Sequence, residues 1–434
     1  MNTTASVNLW GRRIGAVTWD DINRYGIFQY ASDFVKKRIQ VSPLVMPLRE
    51  EAYSFPALNR DTFRGLPGML ADSLPDKFGN SVFMAWLSQQ KRSLESFNPV
   101  EQLCYIGKRG MGALEFEPVI GGPFSEGTSI VIASLVELAN RIVNYRGQLE
   151  GVFSGESNVG AITNILQVGS SAGGARAKAI LAWNPETNEF RSGRLPVGSG
   201  FEYWIMKFDG VTDKSLQVGE PKGFGKIEFA YSEMAKEAGI VMTKCHLHTE
   251  GGRSHFMTKR FDRNDKCEKI HMQSLGALTH SDFNQAATYS YEQIIFDMGR
   301  LNLSHVDKEQ QVLRAMFNVV ARNQDDHVKN ISFLMDQEGE WHLSPAYDVT
   351  YSFRTSSKWV GQHQMFINGK RDNFEMEDFI KLSELADIKP AKAKELLEHI
   401  TLTVKDWPEF AKKAKVNNTT IEKISNAHRL NLIK

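Results

Sequence analysis

Apolar and polar positions change rhythm several times along the chain, and each change marks an element. Residues 5–55 alternate, in "SVNLWGRRIGAVTW" and then "YGIFQYASDFV", which predicts strands of a small twisted sheet. "DTFRGLPGMLADSLPDKFGNSVFMAWLSQQ" moves to helical spacing, broken at Pro67 and Pro75. "SFNPVEQLCYIG" predicts a further short helix, started by Asn98 and Pro99. The glycine- and proline-rich "GALEFEPVIGGPFSEG" reads as a boundary near 118–127. "SIVIASLVELANRIVNY" is then an amphipathic helix, and residues 160–209 return to strands in "GAITNILQVG", "AKAILAWN" and "EYWIMKF". Beyond about 226 the pattern is mostly helical, apart from "SHFMTKRFDR", a hairpin at 331–345 and a short "HQMFING" segment. A strand-rich block followed by a helix-rich block predicts an α+β fold of two lobes with a cleft between them.

The 434 residues are enough for two or three domains. A net charge of +1 gives no reason to expect bulk binding to nucleic acid or to an anionic membrane. The three cysteines, Cys104, Cys245 and Cys267, have no paired spacing, which argues against a disulfide scaffold and for a reducing compartment. The opening residues lack the apolar core of a signal peptide, and no run is long enough to cross a bilayer. A soluble cytoplasmic protein is expected. "CHLHTEGGRSH" carries Cys245, His246, His248 and His255 but matches no common zinc spacing, so it reads as a polar loop. Trp10, Trp183 and Trp204 read as core.

The densest chemistry lies in "ARNQDDHVKNISFLMDQEGEWHLSPAYDVT", residues 321–350. "ISFLM" and "EWHLSP" can pair around "DQEG", which brings Asp325 and Asn330 to one side of the open end and Asp348 to the other. Carboxylate and amide oxygens suit Mg²⁺, and a separate carboxylate can take a proton from a hydroxyl nucleophile. Protein kinases place a catalytic Asp, an Asn five residues later and the Asp of D-F-G in these roles. Asp325 and Asn330 keep the five-residue spacing, and Asp348 follows after the hairpin. The flanks differ: Asn323-Gln324 replaces His-Arg, Val349-Thr350 replaces Phe-Gly, and Lys329 stands four residues after Asp325 rather than two. The competing reading makes Asp325, Asp326 and His327 a polar loop that caps nearby helix and strand ends.

A phosphate site needs more. Lys207 ends the strand "EYWIMKF", as either a snorkelling edge residue or a phosphate ligand, and Glu228 on the following helix is placed to pair with it. "VGSSAGGARAKA" supplies a glycine loop through Gly169, Gly173 and Gly174. It is not a P-loop, since Ala175 rather than Lys follows Gly174 and a strand comes next. In "HFMTKRFDR", Lys259, Arg260 and Phe261 are positioned to offer backbone groups to adenine.

Taken together, these stretches resemble the HipA family of serine/threonine kinases, toxins of bacterial HipBA toxin–antitoxin modules. "LWGRRIGAVTWD…GIFQYASDFV" and "FRGLPGMLADSLPD" resemble the family's N-terminal subdomain. "SSAGGARAK" resembles its glycine loop, "WIMKF" its ATP-lysine strand, "KRFDR" its hinge, and "DDHVKN" with "SPAYD" its catalytic and metal motifs. The resemblance implies a two-lobed protein-kinase-like fold: an N-terminal β-rich subdomain at 1–122, a kinase N-lobe at 123–262 and a mostly α-helical C-lobe at 263–434. It implies ATP and Mg²⁺ as cofactors. Asp325 would be the catalytic base, with His327 and Lys329 shaping its loop, and Asn330 and Asp348 the metal ligands. Lys207, Lys178, Glu228, the loop residues Ala172, Gly173, Gly174 and Ala175, and the hinge residues Lys259 and Phe261 would hold ATP. Ser171, or alternatively Ser170, would be autophosphorylated, and the added charge would block nucleotide binding. A helix-turn-helix antitoxin dimer (HipB-like) would be the partner, with operator DNA reached mainly through it. Glutamyl-tRNA synthetase is a substrate within the family, and no membrane is involved. Two other readings stay open: a catalytically weak pseudokinase or corepressor, and a metal-dependent phosphohydrolase or nuclease using Asp325, Asp326, His327 and Asp348.

Overall fold

The computed structural model describes residues 4–89, 96–120, 129–144, 176–194, 196–211, 223–264 and 266–433. The alternation at the start of the chain forms strands. β1 (Thr4–Leu9) buries Ala5, Val7 and Leu9, and β2 (Arg12–Asp20) and β3 (Tyr25–Tyr30) continue the pattern. With β4 (Leu114–Glu117) they make an antiparallel sheet of order β3-β2-β1-β4. Gly15 is required by close approach: a Cβ there would stand 2.3 Å from the Gln29 carbonyl oxygen. The helical spacing that follows resolves into Arg60–Phe63, Gly68–Ala71 and Lys77–Gln89, with Pro67 capping the second. Helix Pro99–Ile106 begins as the sequence predicts. The Asn98 side chain accepts from Glu101 N, the Glu101 side chain accepts from Asn98 N, and Pro99 fills the first turn.

A second sheet has the order β6-β5-β7-β9-β8, from β5 (Lys178–Asn184), β6 (Glu189–Ser192), β7 (Glu202–Lys207), β8 (Cys245–Glu250) and β9 (Arg253–Lys259). β5 is buried from Lys178 to Trp183. Its Ala179, Leu181 and Trp183 share one core with Trp204 and Met206 of β7 and with Phe78, Val82, Leu135 and Ala139 of two helices, Lys77–Gln89 and Ile132–Asn144. Trp183 and Trp204 are thus core residues, edge-on at 5.7 Å. Trp10 is half-buried and donates to the Lys269 carbonyl at 2.8 Å.

The polar-loop reading of "CHLHTEGGRSH" is corrected: it is β8, a turn at Gly251-Gly252 and the start of β9. The histidines act there as aromatics at a spacing of two. His246 stacks on Trp183 at 4.7 Å, and His248 meets Phe190 edge-on at 5.0 Å. Among the described residues, the one cluster with metal-ligand spacing is elsewhere, at Asp336, Glu340 and His342.

The chain divides into two compact units. The first is Met1–Val41, Met46–Lys222 and His246–Met272, and the second is Ser42–Val45, Gly223–Cys245 and Gln273–Lys434. The division falls inside β10 (His271–Ser274). In the second unit, helix His305–Val320 buries Val312, Leu313, Met316, Phe317 and Val320. Tyr231, on helix Phe224–Glu237, meets Trp407 at 5.0 Å in the same unit. No helix among the described residues is long and apolar enough to cross a membrane.

Candidate active site

Helix His305–Val320 ends at Ala321, and Arg322 takes a left-handed φ of 57° that turns the chain into the loop Asn323–His327. The loop is pinned on both sides: Gln324 N donates to Ser352 O at 3.2 Å, and Asn323 Nδ2 donates to Asn318 Oδ1 at 2.9 Å. A single 3₁₀ turn, Val328–Asn330, leads into β11 (Ser332–Met335). β11 pairs antiparallel with β12 (Trp341–Leu343), Phe333 opposite Leu343 and Met335 opposite Trp341. The turn is the expected "DQEG", closed by Asp336 N to Glu340 O at 3.1 Å, with Gly339 at a φ of 91°. At the other end Ser344 N donates to Ser332 O at 3.0 Å, and the Tyr347 hydroxyl donates to Lys329 O at 2.7 Å. This closure brings residues on either side of the hairpin together.

One open pocket in the second unit is lined by Asp325, His327, Asn330 and Asp348, with Asp326 and Tyr291 behind them. The Asp325 side chain is 40% exposed. Its Oδ1 accepts from Trp359 Nε1 at 2.6 Å and lies 3.8 Å from His327 Nε2. Its Oδ2 has no hydrogen bond among the described residues. Asn330 Nδ2 donates to the Asp325 carbonyl at 2.8 Å, which commits the amide's donor end and leaves its Oδ1 for another partner. Asp348 holds a left-handed φ of 58°, a conformation aspartate tolerates better than most residues. Lys329 lies over the Phe283 ring at 4.9 Å. The donor set of Asn330 amide oxygen and Asp348 carboxylate is the hard-oxygen chemistry of Mg²⁺.

Asp326 is different from its neighbour. Its side chain is buried and accepts from Tyr291 Oη at 2.9 Å, His363 Nδ1 at 2.9 Å and Gln364 N at 2.8 Å. Burial pushes its carboxyl up, but the His363 ring and these hydrogen bonds outweigh burial and hold it below the usual range. Trp359, His363 and Tyr291 were not singled out from the sequence. They come from 34 to 37 residues away in sequence, and no local spacing connects them to the loop.

The remaining candidate residues are placed as follows. Lys207 ends β7, half-buried, with Nζ 5.8 Å from the Phe256 ring centre. Its cross-strand neighbour is Lys178, which is buried and paired with Asp76 at 3.3 Å. Glu228 is buried in the second turn of Phe224–Glu237. Lys259 pairs with Glu202 at 3.2 Å, and Phe261 is half-buried. Ser170, Ser171, Ala172, Gly173, Gly174 and Ala175 lie outside the described residues.

The "KRFDR" stretch holds a cluster that sequence reading missed. Asp262 is sealed in and accepts from Arg260 Nε at 2.9 Å, Arg260 Nη2 at 2.8 Å, Arg263 Nη1 at 2.9 Å and Gly112 N at 2.8 Å. Burial raises its carboxyl, and the two guanidiniums and the hydrogen bonds pull it far below the usual range. Arg263 also donates to the Gly110 and Gly112 carbonyls, each at 3.0 Å, tying the stretch to the loop before β4. The alternation of charges in "KRFDR" was the available signal.

An antiparallel-sheet unit and a helical unit with an acidic hairpin pocket define an α+β protein of known architecture. HipA in the Shewanella oneidensis MR-1 complex of HipA, HipB and operator DNA has the same fold, with a TM-score of 0.64 at 18% identity over 99% of this chain and 96% of that one. The chain belongs to the HipA family: the HipA N-terminal domain matches residues 5–117, and the HipA-like C-terminal domain matches residues 170–407. The Helicobacter pylori proinflammatory kinase CtkA matches with a TM-score of 0.33 and 12% identity, over 59% of this chain and 92% of that one. No curated protein matches the sequence.

Proposed function

We propose that the chain is an ATP- and Mg²⁺-dependent serine/threonine protein kinase, the toxin of a HipBA-type toxin–antitoxin pair. The observation that carries this is one pocket lined by Asp325, Asn330 and Asp348, with the Asp325 Oδ2 and Asn330 Oδ1 atoms uncommitted. Asp325 accepts the proton of the attacking serine or threonine hydroxyl, with Trp359 fixing the carboxylate's rotation through Oδ1. Asn330 and Asp348 hold Mg²⁺, which neutralises charge on the phosphate oxygens. Lys207 binds the phosphates, Lys178 adds a second cation, and backbone groups at Lys259 and Phe261 meet adenine. Ser171, or Ser170 beside it, accepts phosphate from the same site and inactivates the enzyme.

The Shewanella HipA is seen with HipB and operator DNA. By extension, the partner here is a helix-turn-helix antitoxin dimer that carries most of the DNA contact, and the substrate is a translation protein such as glutamyl-tRNA synthetase. A two-metal hydrolase is disfavoured, because Asp326 is buried and both its oxygens already accept from Tyr291, His363 and Gln364. Intact-mass and peptide spectrometry after incubation with Mg²⁺ and ATP tests the reading, with Asp325→Asn beside wild type. Phosphate on Ser171 or Ser170 in wild type alone is expected. A wild type first shown to be unphosphorylated that then gains nothing would point instead to a pseudokinase.

A further inference from the structure

The helix His305–Val320 leads directly into the loop that carries Asp325, so whatever fixes its last turn sets where that loop begins. A helix end leaves its final carbonyls without intrahelical donors. Here residues near the end of the chain supply them. Arg429 N donates to Val320 O at 2.9 Å, and Arg429 Nη1 donates to Val319 O at 3.0 Å. The Tyr231 hydroxyl donates to Ala321 O at 2.8 Å and stands 2.9 Å from His428 Nε2. Arg322 Nε returns the contact, donating to Ala427 O at 2.7 Å. A guanidinium at this position also carries the charge that a helix C-terminus favours.

The same guanidinium reaches the loop by a second route. Arg429 Nη1 lies 3.0 Å from His363 Nε2, and Nη2 donates to Asp372. A guanidinium only donates, so His363 Nε2 is the accepting nitrogen. The ring proton is therefore on Nδ1, which donates to Asp326 Oδ2 at 2.9 Å. One side chain thus holds the helix end through Val319 and the residue next to Asp325 through His363.

We propose that Arg429 is a positioning residue for phosphoryl transfer, clamping the Asp325 loop through the Val319 carbonyl and the His363–Asp326 pair. The proposal rests on the kinase reading. It assigns a catalytic consequence to a residue 104 positions after Asp325 and absent from the pocket lining.

Arg429→Gln, His363→Phe and the double variant are compared with wild type by three measurements: phosphoryl transfer to a generic protein substrate, KM for ATP, and amide exchange across residues 321–331. Folded Arg429→Gln should lose about 10²-fold in kcat, the scale of a small misplacement of a catalytic group. KM for ATP should stay unchanged, and exchange in the loop should quicken. The double variant should be no slower than the worse single one, because both break one connection. His363→Asn, which keeps a donor and an acceptor, should recover part of the rate. Exchange and kcat both unchanged in folded Arg429→Gln would overturn the proposal, as would a loss that only follows the folded fraction. A wild type that transfers nothing, while exchange still responds to Arg429→Gln, would overturn the kinase reading and reduce the clamp to a structural tie.

Discussion

Asp262 in the first unit and Asp325 in the second are both aspartates in dense polar sequence, and they meet opposite constraints. Asp262 has no exposed side-chain surface, and its oxygens take four donated bonds from Arg260, Arg263 and the Gly112 amide. Asp325 is 40% exposed and takes one side-chain bond, from Trp359. A sealed and saturated carboxylate has no capacity left for a ligand. A half-satisfied carboxylate in an open pocket keeps an oxygen free for one. What separates structure from chemistry here is the number of unfilled acceptor positions together with access. Asp326, next to Asp325 in sequence, stands nearer Asp262: it is buried and takes three donated bonds.

The largest expected effects break this comparison from both ends. Asp262→Ala leaves the buried Arg260 and Arg263 charges uncompensated and should cost about 3–5 kcal/mol in urea unfolding, or leave the protein insoluble. Asp325→Asn should change unfolding by no more than about 0.5 kcal/mol, in the range of exposed substitutions, yet cut phosphoryl transfer by about 10²–10⁴-fold. A stable Asp262→Ala protein, or a destabilised Asp325→Asn one, would show that burial and saturation do not divide the two roles.

Legibility followed the same division. The hairpin was readable because apolar runs flank a four-residue turn and its acids lie near it in sequence, so Asp325, Asn330 and Asp348 meet as expected. The α+β class and the Asn98 start of its helix were readable for the same local reason. Trp359, His363 and Arg429 were not readable, because they reach the loop from 34, 37 and 103 residues beyond the residues they bond or support. The histidines of β8 were misjudged because their polarity was weighed above their spacing of two, which places His246 and His248 against Trp183 and Phe190.

Sealed groups should also set the response to acid. Burial pushes His271 down to about 3 and His255 down to about 4, both from an ordinary value of 6.5. An unfolded chain takes up these protons near pH 6.5, whereas the folded chain resists until about pH 3–4. The stability they contribute is therefore fully present above pH 6.5 and falls as pH drops toward their folded values. The depressed carboxyl of Asp262 adds a later loss, beginning below its ordinary value of 3.8. Urea midpoints measured from pH 8 to pH 4 should be flat at first and then decline below 6.5. His271→Gln should flatten part of that decline, and an unchanged slope would remove His271 as a source.

The smallest expected effect tests whether an open ion pair in the first unit behaves as exposure dictates. Lys259 and Glu202 lie 3.2 Å apart with side chains 26% and 25% exposed, so water screens the pair and long side chains lose entropy in making it. Lys259→Ala should change unfolding by about 0–1 kcal/mol. The proposed adenine contact uses the Lys259 backbone, which the substitution retains, so ATP affinity by calorimetry should stay within about twofold, less than the tenfold that 1.4 kcal/mol would give. A tenfold weaker ATP affinity without loss of stability would make the ammonium itself a nucleotide ligand. The pair with Glu202 would then be one of two positions of that side chain, and the open-versus-sealed division would run through the first unit as well as between Asp262 and Asp325.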